Sequence, residues 1–164
     1  MSSQKVVVFQ SGNEEYAVSI DHVVSIEKLE KVNPIPHLPK YLIGLMKIRG
    51  ELVPIIDFEL ILYNQSGLLN ESARVVTMHT EDMSVGILVK EAKEILDVPA
   101  ESLKQLGLMN YAKTKYFTNI ANLENRMITI VDPSILVRSL DGIKDIQSYL
   151  ENAKKEENLE VNNV

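Results

Sequence analysis

Two aspartates that end similar segments are the first residues whose type and spacing suggest chemistry. Asp57 ends ELVPIID and Asp132 ends RMITIVD, 75 residues later (132 − 57). Two carboxylates that share a proton can act as acid and base. Such dyads usually stand in Asp-Thr/Ser-Gly loops, and neither aspartate does. Asp132 instead precedes Pro133, as a helix N-cap precedes proline at the first helical position. We therefore predict two helix caps and no catalytic dyad.

The other residue types that carry chemistry form no recognisable site. His22, His37 and His79 stand singly, without the ligand spacing of a metal site. The chain has no cysteine, which excludes a disulfide framework and a thiolate site. It contains neither a G-x-S-x-G nucleophile elbow nor a glycine-rich phosphate loop. We predict no enzymatic activity, no catalytic residue, no metal and no cofactor.

Arg49 is a permanent charge in the middle of a largely apolar segment, LIGLMKIRGELVPIIDF (42–58). With Gly50 it forms a plausible tight turn between two strands. Its stem can cover apolar surface while its guanidinium pairs with Asp57 or Glu51. Alternatively, the guanidinium presents its donors to a partner protein. The matching position in the second half of the chain holds Glu124, so the core does not require arginine, which favours a role specific to the first half.

The match between the two aspartates extends over two whole strand pairs. GLMKIRGELVPIIDF and NIANLENRMITIVDP share apolar positions along both strands at the same offset. Upstream, YAVSI resembles MSVGI at an offset of 67 (83 − 16). These similarities indicate a duplicated β unit. Each half is short for a stable core, so we expect the two halves to pack together.

Periodicity predicts a mainly β chain that ends in a helix. KVVVFQSGNEEYAVSI and YFTNIANLENRMITIVDP have the alternation of hairpins. Strands are also predicted over 74–78, 85–89 and 95–98, and VPAESLKQLG predicts a short helix between Pro99 and Gly107. Apolar residues at three- and four-residue steps predict helix from Pro133 to Lys155, followed by a frayed or disordered end.

Composition limits the class of protein. The chain has 164 residues, of which 45% are hydrophobic, which suits one domain or two small halves with a shared core. Its formal net charge of −6 disfavours unspecific binding to nucleic acid or to anionic membranes. No segment approaches the roughly 20 apolar residues of a membrane helix, and the N-terminus does not fit a signal peptide. We expect a soluble protein of the cytoplasm.

Four segments form an ordered series: VVVFQSGNEEYAVSIDHVVSIEKL, IPHLPKYLIGLMKIRGELVPIIDF, SVGILVKEAKEIL and NRMITIVDP. In this order, from about Lys5 to Leu150, they resemble the CheW-like chemotaxis coupling proteins. The family motif N-L-R-G-x-x-x-P-[IV]-[IV]-D-L is present as KIRGELVPIIDF. The resemblance implies two small five-stranded, SH3-like β-barrels with a shared hydrophobic interface, short helices and a C-terminal helix. We predict one domain over 1–150, made of two intertwined barrels, and an acidic, partly disordered tail over 151–164.

The resemblance also implies a scaffold without catalysis. CheW-like domains bridge the cytoplasmic tip of methyl-accepting chemoreceptors to the regulatory domain of the histidine kinase CheA, so the expected location is the cytoplasm, at receptor arrays. The receptor's helical hairpin docks in the groove between the barrels, near the arginine of the motif. This carries over to Arg49 and Gly50, and to Val23 and Ile26 on the preceding segment. The kinase contact uses exposed apolar residues of the barrel ends, with no positions assigned here.

The chain departs from the family motif at three positions. Lys47, Ile48 and Phe58 replace its asparagine and two leucines, and Lys47 adds charge next to the proposed site. Two alternatives share the fold: a fragment of a CheV-type scaffold and the regulatory domain of a CheA kinase. Met1 and the C-terminal tail favour a complete coupling protein. We interpret the tail as a solvated helix end rather than a third contact.

Overall fold

A computed structural model describes residues 2–67, 70–106 and 114–162. Within these ranges the strands are β1 (Ser3–Ser11), β2 (Glu14–Ser19), β3 (Val23–Glu27), β4 (Leu42–Ile48), β5 (Glu51–Asp57), β6 (Arg74–His79), β7 (Ser84–Val89), β8 (Glu91–Pro99), β9 (Leu103–Gln105), β10 (Phe117–Leu123) and β11 (Arg126–Val131). The α-helices are α1 (Phe58–Tyr63), α2 (Pro133–Ser139) and α3 (Ile143–Asn162). Short 3₁₀ turns span Ile20–His22 and Ala100–Ser102. The predicted mainly β class is confirmed.

The strands form two sheets, each built from both halves of the chain. The first sheet has the order β8-β1-β2-β11-β10-β9, and the second has the order β3-β6-β7-β5-β4. The hairpin β1–β2 therefore joins strands of the second half, while β6–β7 joins strands of the first half. Neither sheet forms from one half alone, so the two halves of the chain are interleaved.

The two sheets repeat the same pairing at their centres. The parallel pair β11–β2 places Ile130 opposite Ala17, and the parallel pair β5–β7 places Ile55 opposite Gly86. Ile55 and Ile130 have the predicted offset of 75 (130 − 55), whereas Ala17 and Gly86 are 69 apart (86 − 17). The offset of 67 in the upstream hairpin is thus two residues short. A shift of two keeps each side chain on the same face of a strand, so alternation alone does not distinguish the two offsets.

The first sheet has six strands, one more than the five predicted, because it includes β9. The second sheet has only a single β-bridge at the corresponding place. Lys104 in β9 pairs with Ile120, whose counterpart at offset 75 (120 − 45) is Leu45. Leu45 forms a single bridge to Asn33 in the second sheet. Without β9 the strand orders of the two sheets correspond, as the predicted duplication of a β unit requires.

The helix predicted over VPAESLKQLG is wrong within the described part of the chain. The segment forms the Ala100–Ser102 turn and then β9, and Gly107 lies outside the described residues. Leu103 packs against the core of the first sheet, and β9 pairs with β10. Tertiary pairing here outweighs the local helical signals of a proline start and a glycine end.

Three apolar clusters hold the fold together. One cluster joins β8, β1, β2, β11 and β10, and it includes Val8 and Ile128. A second joins β4, β5, β6 and β7, and it includes Ile55 and Val75. Each cluster follows neighbouring strands of its sheet. Within the described residues no pairing joins the two edge strands of either sheet, so the predicted barrels are open sheets rather than closed barrels. The third and largest lies between the sheets, where Phe9, Tyr16 and other side chains from both sheets meet α1 and α2. This is the predicted shared interface.

The C-terminal helix is longer than its sequence signal. Apolar spacing predicts helix as far as Lys155, whereas α3 continues to Asn162. The described part of the segment predicted as a tail, 151–162, lies in this helix. Two ion pairs, from Lys154 and Glu157, join this part of α3 to the β4–β5 hairpin.

Candidate partner-binding surface

The two aligned aspartates are helix caps, as predicted. Asp57 Oδ1 accepts a hydrogen bond from Leu60 N and Asp132 Oδ1 accepts one from Ile135 N, both at 3.1 Å. Their own backbone N–H groups donate to the carbonyls of Tyr41 and Tyr116, both at 2.8 Å. The two carboxylates thus do the same structural task on different helices.

The described residues contain neither a metal-binding cluster nor a membrane-spanning helix. No group of three or more histidine and carboxylate side chains converges there in a way that could hold a metal ion. No helix among them is both long and apolar enough to span a membrane.

Arg49 and Gly50 form the two-residue turn between β4 and β5, and both are exposed. Their φ angles are 52° and 82°, so both have left-handed backbone. This is the turn geometry that matches the twist of a hairpin, and it favours asparagine, aspartate or glycine at both positions. An arginine in that region costs roughly 1–2 kcal/mol. Within the described residues, the aligned turn at Glu124 and Asn125 has no positive φ. The strained turn is therefore specific to the first half.

The guanidinium of Arg49 makes no ion pair or hydrogen bond within the described part of the chain. Asp57, one of its two candidate partners, accepts from Leu60 N and, at 2.7 Å, from Ser66 Oγ. Glu51, the other candidate, pairs with Lys154 at 3.6 Å. The structure thus gives no support to an internal partner for Arg49.

The other arginines of the chain are all engaged. Arg126 bonds Glu15 at 2.7 Å and Glu94 at 3.1 Å, and these hydrogen bonds, that to Glu15 above all, raise its pKa. Arg138 bonds Asp82 and Glu81, which likewise raise its pKa. Arg74 donates to the carbonyls of Glu71 and Ala73. Arg49 is thus the arginine whose donors stay available to another molecule.

The β3 strand presents an apolar patch that differs from the predicted pair of residues. Ile26 is 42% exposed, but Val23 is half-buried and packs against the core between the sheets. Val24, which is not among the predicted contact residues, is 36% exposed. Ser25 between them is buried. Strict alternation along β3 already places Val24 and Ile26 on one face, so this signal was available in the sequence.

The turn and the β3 patch lie at the same end of the second sheet but on opposite edges. Val23 pairs with Met78 near the end of β6, just before the turn into β7. Because β5 runs parallel to β7, the Arg49–Gly50 turn lies at that end too. However, β6, β7 and β5 separate β3 from β4. The four residues thus form two separate patches at one end of the sheet. Arg49 and Gly50 make up one patch, and Val24 and Ile26 make up the other.

A groove between the two short helices is separate from this end. It is lined by Tyr41, Leu60, Tyr116, Leu140 and Asp141, among others. Tyr41 Oη donates to the Asp141 carbonyl at 2.7 Å, and burial together with the Asp141 carboxylate raises the pKa of Tyr41 to about 12. Tyr41 precedes β4 and Arg49 follows it, and a strand of 7 residues is roughly 20 Å long. The groove and the Arg49 turn are therefore distinct surfaces.

The C-terminal helix lies beside the Arg49 turn. Glu157 pairs with Lys47 on β4 at 2.6 Å, and Lys154 pairs with Glu51 on β5 at 3.6 Å. Lys47 is a departure from the family motif, and its sequence neighbours indicate no partner for it. The charge opposite Lys47 is more than 100 positions away, so no local pattern reveals the contact.

Comparisons with known proteins agree with this architecture. A family model described as "CheW-like domain" matches residues 5–141. The Chemotaxis protein CheW of Bacillus subtilis is 27% identical over 138 residues, which cover 83% of this chain and 88% of that protein. The Chemotaxis protein CheW of Klebsiella aerogenes is 30% identical over 137 residues, which cover 83% of this chain and 82% of that protein.

A solved structure has the same fold. It is the scaffolding protein TtCheW from Thermoanaerobacter tengcongensis, which superposes with a TM-score of 0.78 at 22% sequence identity. The superposition covers 86% of this chain and 96% of that one. The SH3-like arrangement of two subdomains fits both chains.

Proposed function

We propose that this chain, which belongs to the CheW-like domain family, is a non-catalytic scaffold of bacterial chemotaxis. It couples the cytoplasmic tip of methyl-accepting chemoreceptors to the regulatory domain of the histidine kinase CheA. The relatives named as chemotaxis proteins and the solved structure named as a scaffolding protein support this function. Its place is the cytoplasm, where it joins membrane-associated receptor arrays without entering the bilayer.

The single observation that carries the receptor contact is the state of Arg49. The chain keeps an arginine where glycine or asparagine costs less, and the guanidinium has no partner among the described residues. A strained, exposed and uncompensated residue of this kind is typical of a binding site. Its planar fork matches a carboxylate or backbone carbonyls of a helical hairpin, which fixes orientation through charge-assisted hydrogen bonds.

Apolar contact supplies the rest of the affinity. Val24 and Ile26 expose hydrocarbon at the same end of the sheet, and an amphipathic helix that lays its apolar face there removes it from water. A single weak contact becomes effective in an array, because tethering to neighbouring molecules raises the effective concentration. A scaffold with two partner surfaces needs no further chemistry.

The proposal is tested with the purified chain, a chemoreceptor cytoplasmic fragment and the CheA regulatory domain. Binding is measured by isothermal titration calorimetry for each partner alone, and by size-exclusion chromatography for the three together. We expect each partner to bind and a ternary complex to form. If neither partner binds a chain whose circular dichroism shows it folded, the coupling function is wrong although the fold stands. If the two partners exclude each other, the bridge is wrong.

A further inference from the structure

The outer face of the β4–β5 hairpin is covered, whereas the same face of the aligned β10–β11 hairpin is exposed. Leu52 and Met127 occupy the same position at the offset of 75 (127 − 52). Met127 is 61% exposed, whereas Leu52 is half-buried and shares two surface clefts with residues of α3. The helix residues of one cleft are all distal and include Ala153, whereas the other cleft is also lined by Gln147 and Leu150 of the proximal part. The helix α3 packs on β5, whereas no helix is described over Met127. The helix therefore accounts for the difference in exposure.

The two parts of α3 are held very differently. In the first part, Ile146 and Leu150 are buried in the protein. From Glu151 to Glu157 every side chain is exposed or half-buried. The distal part is fastened to the hairpin by the pairs Lys47–Glu157 and Glu51–Lys154, all four side chains of which are more than one-third exposed. Its hold on the hairpin therefore depends on contacts that water and salt weaken.

We propose that residues 151–157 of α3 are a releasable cover over Lys47 and Leu52, which a docking partner helix displaces. The proximal part stays packed and keeps the cover tethered. The uncovered face offers an ammonium group, a leucine and the adjacent Arg49, so it fits an amphipathic helix that carries carboxylates beside its apolar stripe. The cover itself has this chemistry, since Glu157 meets Lys47 while Ala153 lies in the same cleft as Leu52. The displacement step rests on the proposed receptor coupling, but the opening of the cover does not.

The opening is tested by backbone hydrogen exchange on the full chain. The wild type is compared with Glu157→Lys, with the double variant Lys47→Glu/Glu157→Lys, and with Glu156→Lys. The last variant makes the same charge change at a neighbouring residue that forms no ion pair with the described residues. Losing one exposed ion pair changes an opening equilibrium by up to about five-fold.

We expect amides of 151–157 to exchange faster than those of 143–150 in the wild type. Glu157→Lys should raise their exchange rate about two- to five-fold, the double variant should restore it, and Glu156→Lys should leave it unchanged. Moderate salt should act like Glu157→Lys, because it screens exposed pairs. Equal protection along the whole helix, or equal effects of the substitutions at 156 and 157, would overturn the cover.

The displacement is tested by titrating the same variants with a chemoreceptor cytoplasmic fragment. Glu157→Lys should bind more tightly than the wild type by the factor that exchange shows for opening, and Glu156→Lys should bind like the wild type. Equal affinities for the wild type, Glu157→Lys and Glu156→Lys, with the cover opening as expected, would show that the partner helix does not use this face. If no variant binds the fragment, the receptor coupling and the displacement both fail, while hydrogen exchange still decides whether the cover opens.

Discussion

The two halves of this chain close the same end of their sheets by different means. In the first sheet, Arg126 joins Glu15 and Glu94 across the end of the core. In the second sheet the position of Arg126 holds Glu51, at the offset of 75 (126 − 51), and that of Glu15 holds Ser84, at 69 (84 − 15). There α3 lies against the sheet end, with Leu150 in a cleft shared with Glu51 and Ser84. A duplicated fold can thus close one copy with side chains and the other with an added helix.

This difference has a consequence for the turns at the same end. In the second half, Arg126 directly follows the turn and forms the ion-pair network, and Glu124 has no positive φ. In the first half, the helix covers the hairpin face, and Arg49 makes no ion pair or hydrogen bond with the described residues. The two aligned turns therefore differ, since one adjoins an ion-pair network and the other exposes a left-handed arginine.

The largest expected effect comes from removing the apolar anchor of α3. Leu150→Ala deletes a buried side chain and leaves a cavity, so the free energy of unfolding should fall by about 2–4 kcal/mol. Chemical denaturation by urea measures this. Exposed Tyr149 on the same helix is the matched control, and Tyr149→Ala should cost far less. Similar losses for the two variants would mean that α3 does not close the second sheet.

A smaller loss is expected where side chains close the first sheet. Arg126→Met keeps much of the packing volume but leaves Glu15 and Glu94 without their shared cation. Since the network is partly exposed, we expect a loss of about 1–2 kcal/mol, with sensitivity to salt that Leu150→Ala lacks. If urea denaturation of Arg126→Met gives wild-type stability at low salt, this network does not close the sheet.

The helix caps should show the smallest difference between the halves. Both carboxylates accept the same backbone bond at 3.1 Å, and the further bond of Asp57 from Ser66 Oγ is exposed. Asp57→Ala and Asp132→Ala should each lower the free energy of unfolding by about 1 kcal/mol. Binding of the CheA regulatory domain should be unchanged in both. A variant of normal stability that had lost binding would contradict the assignment of these carboxylates as caps.

Local signals in the sequence account for most of the fold. Alternation identifies the hairpins, the proline after Asp132 identifies a cap, and the repeat at offset 75 predicts the two matching hairpins and their matching aspartates. Alternation has a period of two residues, however, so it does not distinguish the predicted offset of 67 between β2 and β7 from the observed offset of 69. The strand β9 was mistaken for a helix because its partner β10 is distant from it in sequence.

The candidate surface was only partly predictable for the same reason. Arg49 and Gly50 were identified from one motif, and their turn is where the sequence placed it. Val24 was missed although alternation shows it, whereas the contact of α3 with Lys47 depends on packing between distant segments. The division into a domain over 1–150 and a tail over 151–164 stays a prediction, as do the partner contacts of Arg49, Gly50, Val23 and Ile26.

The most direct test of the central claim is to replace Arg49 by glycine and to measure both stability and receptor binding. Glycine relieves the left-handed backbone, so the free energy of unfolding should stay the same or rise by up to about 1 kcal/mol. Affinity for a chemoreceptor cytoplasmic fragment should nevertheless fall at least ten-fold, which is about 1.4 kcal/mol. Glu124→Gly, in the aligned turn, should leave affinity unchanged. Wild-type affinity in the Arg49→Gly variant would contradict the account, because the strained arginine would then serve no partner.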